Sequence, residues 1–250
     1  TELNLARQIF FHGISSYQLD QFALYAADCD KALAILLGLN SLIGSELTQR
    51  NKLIEQIYTR KGEGAQGQGK RAEALEFFDR AIEIAQGISK EDLAAGLRFK
   101  GIILGDGGSI VEALRLFKLA IDNDDLLMRA YNCVGLYLAE AHLYDAAELN
   151  YRKAYNCWNN DEKNRPTYLY INMVNHYSDV GRFKEAEKWC ANAFYELFRD
   201  SGRETADQVV KLLAPKAVEV FIKADDPHLI GTLSCFVCMC ALRMLCRRDG

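Results

Sequence analysis

The sequence predicts an all-α fold, an array of antiparallel helix hairpins about twelve helices long. Three observations predict it. Apolar residues recur at helical spacing nearly everywhere, and no stretch alternates apolar and polar for long. Only three prolines stand in 250 residues, and two of them, Pro166 and Pro227, sit where a helix would begin. One pattern of small and large residues also returns four times along the chain.

The elements follow in chain order. "YQLDQFALYAADCDKALAILLGL" (17–39) reads as the second helix of a degenerate first pair. "LTQRNKLIEQIYTRK" is helical in pattern. "RAEALEFFDRAIEIA" places Ala74, Leu75, Phe78, Ala81, Ile82 and Ala85 on one face, and "IVEALRLFKLAI" does the same with Ala113, Leu114, Phe117, Ala120 and Ile121. "SIVE" at 109–112 has the form of a capping box. "PTYLYINMV" opens at Pro166. "ETADQVVKLLAPKAVEVFIKA" and "PHLIGTLSCFVCMCALRMLCR" read as a final divergent pair, the second announced by Asp226 and Pro227.

The repeat is defined by alanine, a bulky residue four on, and alanine seven on. Its four registers are Ala74/Phe78/Ala81, Ala113/Phe117/Ala120, Ala147/Tyr151/Ala154 and Ala186/Cys190/Ala193. The first alanines lie 39, 34 and 39 residues apart. Twelve residues before each stands Gly62, Gly101, Gly135 and Val174, and five residues before it Gly69, Gly108, His142 and Gly181. Small residues at fixed points let two helices approach closely, while an aromatic from one fills the gap beside the other. One such hairpin cannot bury its apolar face, so neighbours must stack into a superhelix.

These residues resemble the tetratricopeptide repeat, a helix–turn–helix unit of about 34 residues. The likeness is clear over 55–200, best in "RAYNCVGLYLAEAHLYDAAELNYRKAYN" and "YLYINMVNHYSDVGRFKEAEKWCANAF". It implies a right-handed superhelix: a single array over 1–250, with degenerate helices over 1–54, four repeats over 55–200 and capping helices over 201–250. The two 39-residue spacings imply inter-repeat turns about five residues longer than standard.

Composition bounds the function. Half the residues are apolar, 26% are charged and the net charge is −4, which argues against a duplex nucleic-acid binder. The opening "TELNLARQIFFHG" lacks the pattern of a signal peptide. Cys29, Cys133, Cys157 and Cys190 sit singly in apolar helical patterns, the habit of packed thiols in a cytoplasmic protein.

No catalytic site is legible. "GEGAQGQGKR" (62–71) contains G-x-G-x-x-G and an offset G-x-x-x-x-G-K. The segment before it is helical rather than a strand, however, and Arg71 replaces the hydroxyl residue that would hold magnesium. The segment instead reads as a soft, glycine-rich turn. His12, His142, His176 and His228 are scattered without acids at ligand spacing, with His142 expected exposed in a turn and His176 in the core or at its rim. "CFVCMCALRMLC" (235–246) groups four cysteines. On one helix Cys235 and Cys246 lie about 16 Å apart, too far for four ligands to close on one zinc. The uncharged run 227–242 is sixteen residues, short of the roughly 20 needed to span a membrane. No cofactor, metal, nucleic acid or membrane is therefore expected. The apolar last helix is expected to meet a second copy of the chain or a neighbouring domain.

The resemblance implies a concave groove lined by the first helix of each pair. Its positions fall on Arg98, Ile102 and Asp106, then Arg129, Asn132, Leu136 and Glu140, then Tyr168, Ile171, Asn172, Asn175 and Asp179. Asn can bond both kinds of peptide backbone group, and Arg can grip a carboxylate. Relatives that bind chaperone tails use a clamp whose positions here are Thr59, Glu63, Phe99, Arg129 and Cys133. Only Arg129 fits, so chaperone tails are not the expected ligand. The expected function is a non-catalytic module that binds a protein or peptide. The alternative is the sensory part of a larger signalling or transcription regulator, bacterial ones included, whose output domain follows residue 250.

Overall fold

A computed structural model describes residues 1–18, 22–124, 128–158 and 167–199, with positions 217, 219, 220 and 223. Among the described residues there are ten helices and no strand. They are α1 (Glu2–Gln18), α2 (Phe22–Gly38), α3 (Gly44–Gly67), α4 (Arg71–Ala85), α5 (Lys90–Asp106), α6 (Ile110–Asn123), α7 (Met128–Glu140), α8 (Tyr144–Cys157), α9 (Thr167–Asp179) and α10 (Phe183–Arg199). Apart from positions 217, 219, 220 and 223, the expected final pair over 201–250, with its cysteines, lies outside the described residues, as do Pro166 and Pro227.

The chain divides into two compact units, Thr1–Cys133 and Val134–Gly250, with the division inside α7. In the first, α1 packs on α2, α3 on α4 and α5 on α6, and α2 and α4 each also pack on the helix that follows. Leu3, Phe10, Cys29, Leu36 and Ile57 join one core cluster, and Ala65, Ala74, Phe78 and Ile103 another. In the second unit α9 packs on both α8 and α10.

Every residue of the four alanine registers is buried. The glycines before them show why. A Cβ built on Gly62 would stand 2.6 Å from the Phe78 ring, one on Gly101 2.6 Å from Phe117, and one on Gly135 2.5 Å from Tyr151. In the fourth register the sizes are exchanged, and Val174 and Cys190 are both fully buried.

The turns repeat as faithfully. Gly69, Gly108, His142 and Gly181 have φ of 73°, 84°, 60° and 76°. After each, an N–H reaches back five residues: Lys70 to Ala65 O, Ser109 to Leu104 O, Leu143 to Leu138 O, Arg182 to Tyr177 O. This is the bond of a helix end closed by a left-handed residue. Glycine suits it, and His142 holds the same conformation in an exposed turn.

Three expectations are corrected. The glycine-rich segment is not itself the turn. α3 runs through Gly62, Gly64 and Gly67, and only Gln68 to Lys70 make the connection. Gly62 is there to admit Phe78, and Arg71 folds back to donate to Leu104 O at 3.3 Å. Ser109 makes no side-chain cap, because its backbone (φ −85°, ψ 57°) lies outside the extended region a cap needs. Ser89 does cap, accepting from Asp92 N at 3.0 Å. That cap accounts for the third correction. The first 39-residue repeat has no long inter-repeat turn, since only residues 86–89 separate α4 from the 17-residue α5. The connection between α8 and α9 in the second long repeat lies almost wholly outside the described residues.

Candidate functional site

The nine polar and aromatic positions expected to face a partner divide between the units. Arg98, Asp106, Arg129 and Asn132 belong to the first, and Glu140, Tyr168, Asn172, Asn175 and Asp179 to the second. Asp106, Arg129, Glu140 and Asp179 are exposed, and Asn132, Asn172 and Asn175 are half-buried. Tyr168 is 60% exposed near the start of α9. Arg98 is different: it is only 8% exposed. Of the apolar positions, Ile171 is buried and Ile102 and Leu136 are half-buried.

Arg98 sits in the middle of α5 with its guanidinium carbon 4.0 Å from the centre of the Phe99 ring. Phe99 in turn stacks on Phe78, centroids 5.3 Å apart with planes 1° from parallel. The Cys133 thiol lies within hydrogen-bonding reach, yet Nε finds no acceptor among the described residues. Burial pushes the arginine below its ordinary value, and nearby Arg129 adds to the lowering against the opposing pull of Cys133. Burial pushes the Cys133 thiol up to about 11, so it stays protonated at neutral pH and offers only a weak sulfur acceptor.

The other positions of the chaperone-type clamp are occupied by local contacts. Thr59 donates to Glu55 at 2.7 Å, and Arg60 donates to Glu63 at 2.8 Å. Glu55, on α3, is a buried carboxyl that pattern reading missed. Burial pushes it up to about 7, with Asp92 adding to the rise against Thr59 and Lys52. Its only sequence signal is a carboxyl and a hydroxyl four residues apart on one helix.

In the second unit the missed hub is Glu148. Arg152 bonds its Oε1 at 2.7 Å, Tyr177 donates to the same oxygen at 2.9 Å, and Arg182 donates to Oε2 at 2.7 Å. Burial alone would push the carboxyl up, but the bonds from Arg152 and Tyr177 and the charge of Arg182 hold it below the usual range. Beside this hub His176 is 2% exposed, ringed by Tyr144, Tyr151 and Tyr177 at centroid distances of 6.0, 5.6 and 5.2 Å. Burial pushes the imidazole down, with Glu148 opposing, so it is a neutral packing group at neutral pH.

No group of three or more potential metal ligands occurs among the described residues. No helix among them is long and apolar enough to cross a membrane. What the arrangement offers is a set of polar side chains on repeated helices.

No family model and no curated protein matches the chain. Solved structures do. BtubC (BKLC) from P. vanneervenii superposes with a TM-score of 0.62 at 19% identity, over 81% of this chain and 84% of that one. A thermophilic TPR protein of Thermus thermophilus gives 0.57 at 15% identity, over 84% and 99%. A tetratricopeptide repeat protein from Parabacteroides merdae gives 0.52 at 15%, over 87% and 77%. With the repeated alanine registers and left-handed turns, these likenesses show that the chain has the fold of the tetratricopeptide-repeat solenoids.

Proposed function

We propose that this chain is a cytoplasmic, non-catalytic binding module, a single repeat array that presents a concave groove to an extended segment of a partner protein. Repeat proteins of this fold generally serve as protein-interaction scaffolds, which supports the broad class. The observation that carries the reading to particular residues is Tyr168. An aromatic 60% exposed on the first helix of its pair adds little to the core, whereas an aromatic that meets a partner contributes strongly. Asn172 and Asn175 follow it at helical spacing and can bond a peptide backbone. In the first unit Arg129, Asn132 and Asp106 occupy the matching positions.

The test is capture of partners from a lysate by the wild type and by a variant carrying Arg129→Glu, Tyr168→Ala and Asn175→Ala. The reading expects the variant to lose partners while its helical circular dichroism is unchanged. An identical set of partners would remove these residues from the interface. The alternative, a sensory region of a larger regulator, is tested by the gene sequence beyond residue 250. A stop codon directly after Gly250 would end it.

A further inference from the structure

Between α8 and α10 the second unit holds a cleft of about 330 Å3, a volume suited to a small molecule. Arg152, Tyr155 and Asn156 reach it from one face of α8, at positions i, i+3 and i+4. Glu185, Lys188 and Trp189 reach it from α10 at the same spacing. Tyr155 and Trp189 make a corner, with centroids 5.2 Å apart and planes 83° from parallel. Tyr170, which is 3% exposed, backs Trp189 at 5.9 Å. A flat ring entering the cleft can lie on one aromatic face and meet the edge of the other.

The repeat does not call for these residues. Counted from the first alanine of each register, Tyr155 matches Ile82 and Ile121, and Asn156 matches Glu83 and Asp122. Those isoleucines pack against a core cluster, whereas Tyr155 is 37% exposed. Relative to the two hairpins before it, the third exchanges a packed aliphatic for a partly exposed aromatic. It also exchanges a carboxylate for an amide that both donates and accepts. The charges around the cleft are unevenly matched. Arg152 gives Nε and Nη2 to Glu148, and Glu185 accepts from Arg182 at 3.0 Å. Lys188 is exposed and acts on Glu185 through its charge, yet makes no hydrogen bond or ion pair among the described residues. The indole N–H of Trp189 makes no hydrogen bond among them either.

We propose that this cleft binds a nucleoside monophosphate, its base in the corner of Tyr155 and Trp189 and its phosphate on Lys188, with Arg152 adding charge at the rim. Stacking on the two rings accepts any base, and Asn156 offers a donor and an acceptor to the base edge. The ammonium of Lys188 suits a phosphate as a point charge. A base without a phosphate would leave Lys188 unused. A phosphate without a base would meet only exposed charges, which hold little on their own. The site stands apart from the groove reading above, because α8 and α10 are the second helices of their pairs.

The chain has two tryptophans, Trp158 and Trp189, so Trp158→Phe leaves Trp189 as the reporter. Its fluorescence is titrated with AMP, adenosine and inorganic phosphate, and calorimetry on the unaltered chain should return the same affinities. AMP should quench the signal and bind at least about tenfold more tightly than adenosine or phosphate. Lys188→Glu, at an exposed position, should bring AMP down to the affinity of adenosine. Tyr155→Ile combined with Asn156→Asp gives this hairpin residues of the kind the two before it carry, and should weaken AMP at least about tenfold.

No binding of AMP at about 10 mM overturns the proposal. Phosphate that matches AMP also overturns it, because charge would then act without the ring. So does AMP binding that survives both variants, which would put the nucleotide elsewhere on the chain. If the double variant loses its helical circular dichroism, Lys188→Glu alone decides.

Discussion

Tyr151 on α8 covers Gly135 on α7 so closely that a Cβ on the glycine would stand 2.5 Å from ring atoms Cδ1 and Cε1. Phe78 does the same to Gly62, and Phe117 to Gly101. The repeated small residue is therefore a steric requirement of the aromatic on the second helix. Gly62→Ala, Gly101→Ala and Gly135→Ala should each destabilise the protein by about 1–3 kcal/mol, since the ring must move within a packed core. Gly64→Ala is the control. It lies inside α3, and its Cβ would meet Tyr25 Cε1 at an ordinary 3.8 Å, so it should stabilise by about 0.5–1 kcal/mol. Urea denaturation of the four variants checks both signs. Equal losses at Gly62 and Gly64 would sink the steric account.

His142 holds φ 60° where the other three repeats place glycine. A left-handed residue with a Cβ is strained by about 1 kcal/mol. The contact of its Nδ1 with the Tyr144 hydroxyl at 2.8 Å is exposed and offsets only part of that. His142→Gly should therefore raise stability by about 0.5–1 kcal/mol, and Gly69→Ala should lower it by about the same amount. Thermal melts of the two variants should move in opposite directions.

The steric skeleton was legible because each of its requirements is met within one hairpin. Gly62 and Phe78 lie 16 residues apart, and the spacing recurs with Gly101 and Phe117 and with Gly135 and Tyr151. The polar contacts are different in kind. Glu148 is satisfied by Tyr177 and Arg182, 29 and 34 residues away, and nothing about a glutamate beside Ala147 announces them. The resemblance counts Arg98 among the partner-facing positions, yet it is buried, with Phe99 against its guanidinium and Cys133 within reach, which helical periodicity along α5 does not reveal. The capping box at Ser109 misled because its first-to-fourth residue pattern was present while the preceding Gly108 turn set the wrong backbone.

Glu148 gathers Arg152, Tyr177 and Arg182, so its loss should cost more than that of an exposed pair such as Glu83 with Arg80. Glu148→Gln should destabilise by about 1–2 kcal/mol, against about 0–1 kcal/mol for Glu83→Gln. The carboxyl is held below its usual range. Its contribution is thus present above the unfolded-state value and is lost as pH falls through the folded one. The gap between wild type and Glu148→Gln, measured by urea denaturation, should narrow from pH 7 toward pH 3. A gap that does not change would remove the charge from the explanation.

Glu55 has the opposite sign. Burial raises its carboxyl to about 7, so the folded state holds a proton that the unfolded chain releases near pH 4.5. Between those values folding retains the proton, and stability falls as pH rises through the folded value. At pH 8 the protein must either ionise a side chain that is 4% exposed or yield part of its stability. Glu55→Gln keeps a polar side chain that can bond Thr59 but has no charge to bury. It should match the wild type at pH 4.5 and exceed it at pH 8 by on the order of 3 kcal/mol. The comparison isolates this one group, because every other titrating residue is common to both proteins. Parallel stability curves from pH 4.5 to pH 8 would show that Glu55 is solvated in the folded chain, and with that the burial of the α3 face that carries it would have to be redrawn.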